Sequence, residues 1–167
     1  AGSAYVFAFG GAGWSRQAHL SAGNNGARAE FGTSVSLDGA GQTAIVGAPA
    51  DRNPSGLWDG SAYIFQRTAS GWALCCRLGN SAGASEDDFG WAVRLSSDGQ
   101  TALVGVPGRE TGGARDVGRA HVFARAGGVW AEQAVLTASD AAQYDYFGTS
   151  VGLSADGATA VIGVPGK

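Results

Sequence analysis

The sequence predicts an all-β protein made of repeated four-stranded antiparallel sheets, and three observations predict it. A set of markers returns every 58 residues. Each unit holds four short runs of aromatic and β-branched residues. Glycine is abundant, 29 in 167 residues, which is more than twice the usual share of about 7% and lacks the three-residue period of collagen. Many tight turns imply many short strands.

The markers keep one register. Gly-Ser-Ala-Tyr-Val-Phe at 2–7 returns as Gly-Ser-Ala-Tyr-Ile-Phe at 60–65 and as Gly-Arg-Ala-His-Val-Phe at 118–123. Trp14, Trp72 and Trp130 keep the same step, as do Leu20, Leu78 and Leu136, and the Phe-Gly pairs at Phe31, Phe89 and Phe147. Ala-Ile-Val-Gly-Ala-Pro at 44–49 returns at 102–107 and 160–165. A repeat of this length is one supersecondary unit that buries its apolar faces by stacking on its neighbours.

Within a unit the elements follow in order. The first strand is read at 31–37 and the second at 43–49, joined by a polar turn whose clearest forms are Ser96-Ser97-Asp98-Gly99 and Ser154-Ala155-Asp156-Gly157. Asp-Gly suits a hairpin because type I′ turns need positive φ at both central residues. The third strand is read at 60–67, and Ala69-Ser70-Gly71 turns the chain into the fourth, 72–78. No helical 3.6-residue period competes with this pattern. The run at 44–49 is apolar on both faces, whereas an exposed antiparallel sheet alternates. Gly47, Gly105 and Gly163 stand mid-strand, where glycine marks close approach of another backbone. Sheets covered on both sides and repeated in this way are blades of a β-propeller.

Composition narrows the function. Net charge is −3 and pI about 5.2, which excludes an electrostatic nucleic-acid binder. No apolar run reaches the roughly 18 residues of a membrane-spanning helix. Methionine is absent even at position 1, so the chain reads as a processed or trimmed segment.

Phe-Gly-Thr-Ser-Val at 31–35, Ile-Val-Gly-Ala-Pro at 45–49 and Gly-Ser-Ala-Tyr-Ile-Phe at 60–65 together resemble an FG-GAP repeat, the unit of integrin α-subunit propellers and of many bacterial surface proteins. The segment 130–148 resembles the bacterial type. The resemblance implies that the Phe-Gly strand is innermost in its blade and the Trp…Leu strand outermost. On that order the chain is one module with a half-blade at 1–23, blades at 31–80 and 89–138, and a half-blade at 147–167, so that one blade is split between the termini. Many relatives carry a calcium loop rich in aspartate between the first two strands. Here each turn has one carboxylate, while calcium takes six to eight oxygens. No metal and no cofactor are therefore expected.

The resemblance also implies partners. Two half-blades leave strand edges open, and open edges invite pairing. A homodimer closing a six-bladed ring is expected, or the missing blades of a longer chain. The function implied is a non-enzymatic interaction or adhesion module, exported and extracellular or at the surface of a bacterium. It would bind a protein or carbohydrate through loops on one face. The rivals are a purely structural self-assembling unit and a hydrolase.

Individual residues give less. His121 replaces the tyrosine of the other repeats and His19 lies on a fourth strand, so both read as packing residues. Cys75 and Cys76 point to opposite faces of a strand and read as small buried hydrophobes. Carboxylates gather before the Phe-Gly pairs, with Glu86, Asp87 and Asp88 in one repeat and Asp140 and Asp145 in another. The last two are the weak candidates for a cation. Trp58 and Trp91 are not repeated. Trp58 lies in a polar loop with Asp51 and Arg52, and Arg109 and Arg115 occupy the corresponding loop of the next repeat. These five, Asp51, Arg52, Trp58, Arg109 and Arg115, are the ligand-binding candidates, since propellers bind through such loops.

Overall fold

A computed structural model describes residues 2–23, 28–53, 55–80, 87–108 and 113–167. It holds β1 (Ala4–Gly10), β2 (Gly13–Leu20), β3 (Val35–Leu37), β4 (Thr43–Ala48), β5 (Ser61–Thr68) and β6 (Gly71–Leu78) in the first half. The second half holds β7 (Ala92–Leu95), β8 (Thr101–Val106), β9 (Arg119–Ala126), β10 (Val129–Leu136), β11 (Ser150–Leu153) and β12 (Ala160–Gly163). The described residues contain no helix. Two four-stranded antiparallel sheets run β3-β4-β5-β6 and β7-β8-β9-β10, flanked by the two-stranded sheets β1-β2 and β11-β12. These sheets are consistent with propeller-like blades, and among the described residues no closure into a ring is seen.

The inner edges are tied tip to tip. The Gly39 amide donates to the Ser97 carbonyl at 2.8 Å, and the Ser97 amide to the Ala155 carbonyl at 2.8 Å. Each outer strand pair carries a β-bulge, between Val6 and Phe7, Ile64 and Phe65, and Glu132 and Ala134. A bulge increases local twist, and its recurrence at one repeat position gives each blade the same outer curvature.

The first strand of each blade starts later than the sequence reading places it. β3, β7 and β11 begin at Val35, Ala92 and Ser150, so the Phe-Gly pair lies on a bend ahead of the strand. The bend needs positive φ twice, at Glu30 (54°) and Gly32 (98°). Thr33 closes it by donating its amide and its hydroxyl to the Glu30 carbonyl at 3.2 and 2.7 Å. The bend drives the phenylalanine between two sheets. Phe89 is fully buried among Ile45, Ile64 and Leu78 of one blade and Val93, Val104 and Phe123 of the next. Phe31 and Phe147 anchor the equivalent cores on either side.

These inter-blade cores explain the two-sided apolar strands. Ile45 faces the core shared with the following blade, while Ala44, Val46 and Ala48 face the core shared with β1-β2. The mid-strand glycines answer the expectation of close approach. A Cβ on Gly47 would stand 1.9 Å from the Gly90 carbonyl oxygen, and one on Gly105 would stand 2.0 Å from that of Gly148.

Candidate functional site

The β4–β5 loop, 49–60, begins with a buried polar network. The Asp51 carboxylate accepts from the Ser61 hydroxyl at 2.7 Å and the Tyr63 hydroxyl at 2.5 Å. Arg77 Nε lies 3.7 Å from the same oxygen and donates to Ser61 Oγ at 2.7 Å. The Tyr63 phenol is pushed up to about 12, by burial first and by its bond to the Asp51 carboxylate second. Asp51 is 4% exposed. Its carboxylate therefore faces the interior and fastens the loop to β5 and β6.

Asn53 shapes the rest of the loop. Its side-chain oxygen accepts from the amides of Ser55 and Leu57 at 2.9 and 3.0 Å, and its Nδ2 donates to Asp59 at 2.9 Å. An asparagine bonding the backbone ahead of it makes an Asx turn. Burial pushes the Asp59 carboxyl up from the ordinary value, opposed by the bond from Asn53. The loop so folded sets the Arg52 guanidinium 4.1 Å from the Trp58 ring centroid, a cation–π contact. The structure thus brings together Arg52 and Trp58. Arg115 is exposed on the β8–β9 loop, where its carbonyl accepts from the Tyr144 amide at 3.0 Å. Arg109 lies outside the described residues, as do Glu86 and Glu110.

A cleft of about 320 Å³ opens on this loop face, between the second blade and β11-β12. Trp91 and Tyr146 supply aromatic walls, Asp88 and Asp116 carboxylates, and Pro107 and Thr149 complete the lining. Both aromatic side chains are exposed, Trp91 by 41% and Tyr146 by 38%. The cleft is made by backbone geometry. Asp88, Asp116 and Tyr146 all hold positive φ, at 61°, 51° and 55°. The Trp91 amide donates to the Asp88 carbonyl at 3.1 Å, and the Tyr146 amide to that of Asp116 at 2.9 Å. Sequence reasoning noted Trp91 as unrepeated but assigned it no site, and it missed Tyr146. The signal was present. Trp58 takes the repeat position of Asp116 and Trp91 that of Thr149, so Trp58 stands at the preceding seam where Asp116 stands in the cleft, while Trp91 lines the cleft itself.

Other polar groups have structural explanations. His19 lies 2.8 Å from the Ser3 hydroxyl, which repeats the Arg77–Ser61 contact two strands of the next unit make. His121 is buried, with Nδ1 2.9 Å from Glu132 and its ring stacked toward Phe123. Asp140 and Asp145 both face the Lys167 ammonium, at 2.5 and 3.8 Å. The inner-hairpin aspartates bond their own turns. Asp38 accepts from the Gln42 amide at 2.7 Å, and Asp98 accepts from the Ser96 hydroxyl and Gln100 amide at 2.6 and 2.9 Å. Among the described residues no three His, Cys, Asp or Glu side chains converge as metal ligands. Cys75 and Cys76 are free thiols. Only Cys76 is half-buried, while Cys75 is exposed, which corrects the reading of both as buried. β6 is an outer strand, so one of its two faces meets water.

The FG-GAP repeat model of this family matches residues 14–65, 72–123 and 130–167, and the chain belongs to the FG-GAP repeat family. Each match opens on the tryptophan of an outer strand, so the sequence unit begins one strand before the blade it leads into. Repeats of this family are typical of extracellular or surface proteins and are generally non-enzymatic. Among the described residues no helix is long and apolar enough to cross a membrane. No curated protein matches the chain.

Proposed function

We propose that this chain is a non-enzymatic interaction module of an exported, surface-located bacterial protein, and that it binds a carbohydrate through its loop face. The observation that carries the reading is the cleft at the blade seam, where exposed Trp91 and Tyr146 stand beside Asp88 and Asp116. Aromatic rings offer an apolar face against which a sugar ring can stack, and their polar edges tolerate water. Carboxylates accept hydrogen bonds from sugar hydroxyls. The volume is at the lower end of the range for ligand sites, about 300–1,000 Å³, which suits one or two sugar rings rather than a long chain. Arg52 on Trp58 adds a cationic edge to the same face.

The test is binding to a glycan array, followed by Trp91→Ala. Glycan binding that disappears in a variant with an unchanged circular dichroism spectrum supports the reading. An array without any bound glycan, or binding that Trp91→Ala leaves intact, refutes it. The rival reading, a structural unit whose only partner is itself, draws support from the exposed edges of the end sheets and predicts that outcome.

A further inference from the structure

We propose that Cys75 and Cys76 form a vicinal dithiol site that binds one soft monovalent metal ion of the copper(I) class.

The bulge of the outer strand brings the two thiols together. β5 pairs with β6 through Ile64↔Cys76 and then Phe65↔Leu74, so Cys75 is the residue left over by the register shift. Adjacent residues of a regular strand point to opposite faces, and a bulge breaks that alternation and re-aims a side chain. The structure thereby corrects the expectation of opposite faces. Both cysteines line one cavity of about 280 Å³ between β6 and the start of β10, where Gly128, Val129 and Trp130 form the far wall. The two thiols share a hydrogen bond there. Cys76 packs half-buried against the inter-blade core, and Cys75 is exposed. One sulfur is anchored, and a solute reaches the other.

The repeat shows that the bulge does not need cysteine. The same bulge recurs in the other two outer strands, where Gln17 and Gln133 are the residues left over. Each is followed by alanine, Ala18 and Ala134. Gln-Ala becomes Cys-Cys in the middle repeat alone. Packing explains one small apolar thiol in place of a half-buried alanine. It does not explain a second thiol in place of an exposed glutamine.

Geometry keeps the pair as two thiols. Consecutive Cα atoms stand about 3.8 Å apart, short of the roughly 4.4–6.8 Å across a relaxed disulfide. Coordination number then selects the ion. Thiolates favour soft ions such as copper(I). Zinc takes four ligands, and among the described residues no third His, Cys, Asp or Glu side chain joins the pair. A closed-shell monovalent ion is satisfied by two sulfurs. Binding exchanges two protons for one ion. Each thiol releases its proton to solvent as a sulfur lone pair takes the metal, and no electron is transferred. The product is a singly negative dithiolate complex. Arg125 stands close enough to favour the Cys76 thiolate, and it offsets that charge.

The test is anaerobic competition of the reduced chain against copper(I) held by bicinchoninate, followed by the colour of the chelator complex. The wild-type chain should withdraw one ion per chain. Cys75→Ala and Cys76→Ala should each weaken uptake by more than about 100-fold, since even the loss of an outer-shell partner costs 10–100-fold. Cys75→Gln/Cys76→Ala restores the pair that the other two repeats carry at this bulge, so it should keep the native circular dichroism spectrum and withdraw nothing. Zinc, tested against a chromophoric zinc chelator, should not be taken up. No uptake by the wild-type chain, uptake that survives in either single variant or in the double variant, or equal uptake of zinc would overturn the proposal. So would a wild-type chain that isolates in air with Cys75 and Cys76 joined as a disulfide, read by mass after alkylation.

Discussion

Replacing Asp51 with alanine tests whether the loop face is held from inside. The substitution removes the acceptor shared by Ser61 and Tyr63, which are 0% and 6% exposed. Each buried donor that loses its acceptor costs about 1–3 kcal/mol. Arg77, whose side chain is 26% exposed, can turn to water and adds little. The loss should therefore be about 3 kcal/mol, or a fall in melting temperature of about 6–12 °C for a chain of this size. Asp51→Asn keeps an acceptor and should cost about half as much. In the double variant Asp51→Ala/Tyr63→Phe the cost should fall well short of the sum of the singles, because donor and acceptor leave together. Spectrophotometric titration gives an independent readout. In the native chain one tyrosine should ionise only near pH 12. In Asp51→Ala that step should move down but remain above the ordinary 10.0, because burial is the larger cause. The sign is that of an acid whose folded value is raised: its contribution is present below the unfolded value and is lost as pH rises through the folded one. A loss under about 1 kcal/mol, or an unmoved tyrosine step, would refute the network as the clamp of this loop.

Four further outcomes are expected. Calcium should not change the melting temperature, whereas a site at 100 times its dissociation constant would add about 2.7 kcal/mol; a shift reversed by chelator would show that the hairpins bind it. Gly105→Ala, whose Cβ would meet a backbone carbonyl at 2.0 Å, should cost about 3 kcal/mol or more in urea unfolding, while Gly10→Ala, with nothing within 4 Å, should be near neutral. The Ser96 and Ser154 hydroxyls hold the Asp98 and Asp156 carboxyls below the ordinary 3.8, so the stability they contribute is present above that value and is lost as pH falls through the lowered ones. Thermal melts of Asp98→Asn should then show reduced acid sensitivity. Burial, with a bond to Cys75, pushes the Cys76 thiol up to about 12, so alkylation at mildly alkaline pH should label Cys75 and spare Cys76, as peptide mass mapping would read.

The blades were legible because a fixed 58-residue step leaves few ways to place strands. The mid-strand glycines could be read too, since close backbone approach is the ordinary reason for glycine in a strand. The Phe-Gly bend was not legible as a bend. Phe31 is apolar and precedes a β-branched run, so local pattern extends the strand through it. Its true place depends on a neighbouring blade that receives the ring. Asp51 was misleading for a related reason. A charge in a loop reads as solvated, and only folding brings Ser61 from β5 and Arg77 from β6 to its carboxylate. Yet Asp51, Tyr63 and Arg77 become Arg109, His121 and Val135 in the next repeat. All three change at once, which is the trace a shared network leaves in a sequence.

The repeat therefore separates three kinds of residue by how they vary. Positions that stay the same, such as the Phe-Gly pair and the mid-strand glycines, belong to the seams between blades, where one shape must be met each time. Positions that change together, such as those of Asp51 and its partners, belong to local networks that need internal consistency and nothing else. Positions that change alone are different. Trp58, Trp91 and Tyr146 each place an aromatic ring where another repeat has Asp, Thr or Glu, and none of those substitutions is required by packing elsewhere in the fold. Two of the three line one cleft, and the third stands at the neighbouring seam of the same face. Variation of that kind is hard to explain by stability, since the repeats lacking these rings form the same bends. Under the function proposed above, these single substitutions are the ones that would carry recognition on a repeated scaffold, whose seams supply the shape.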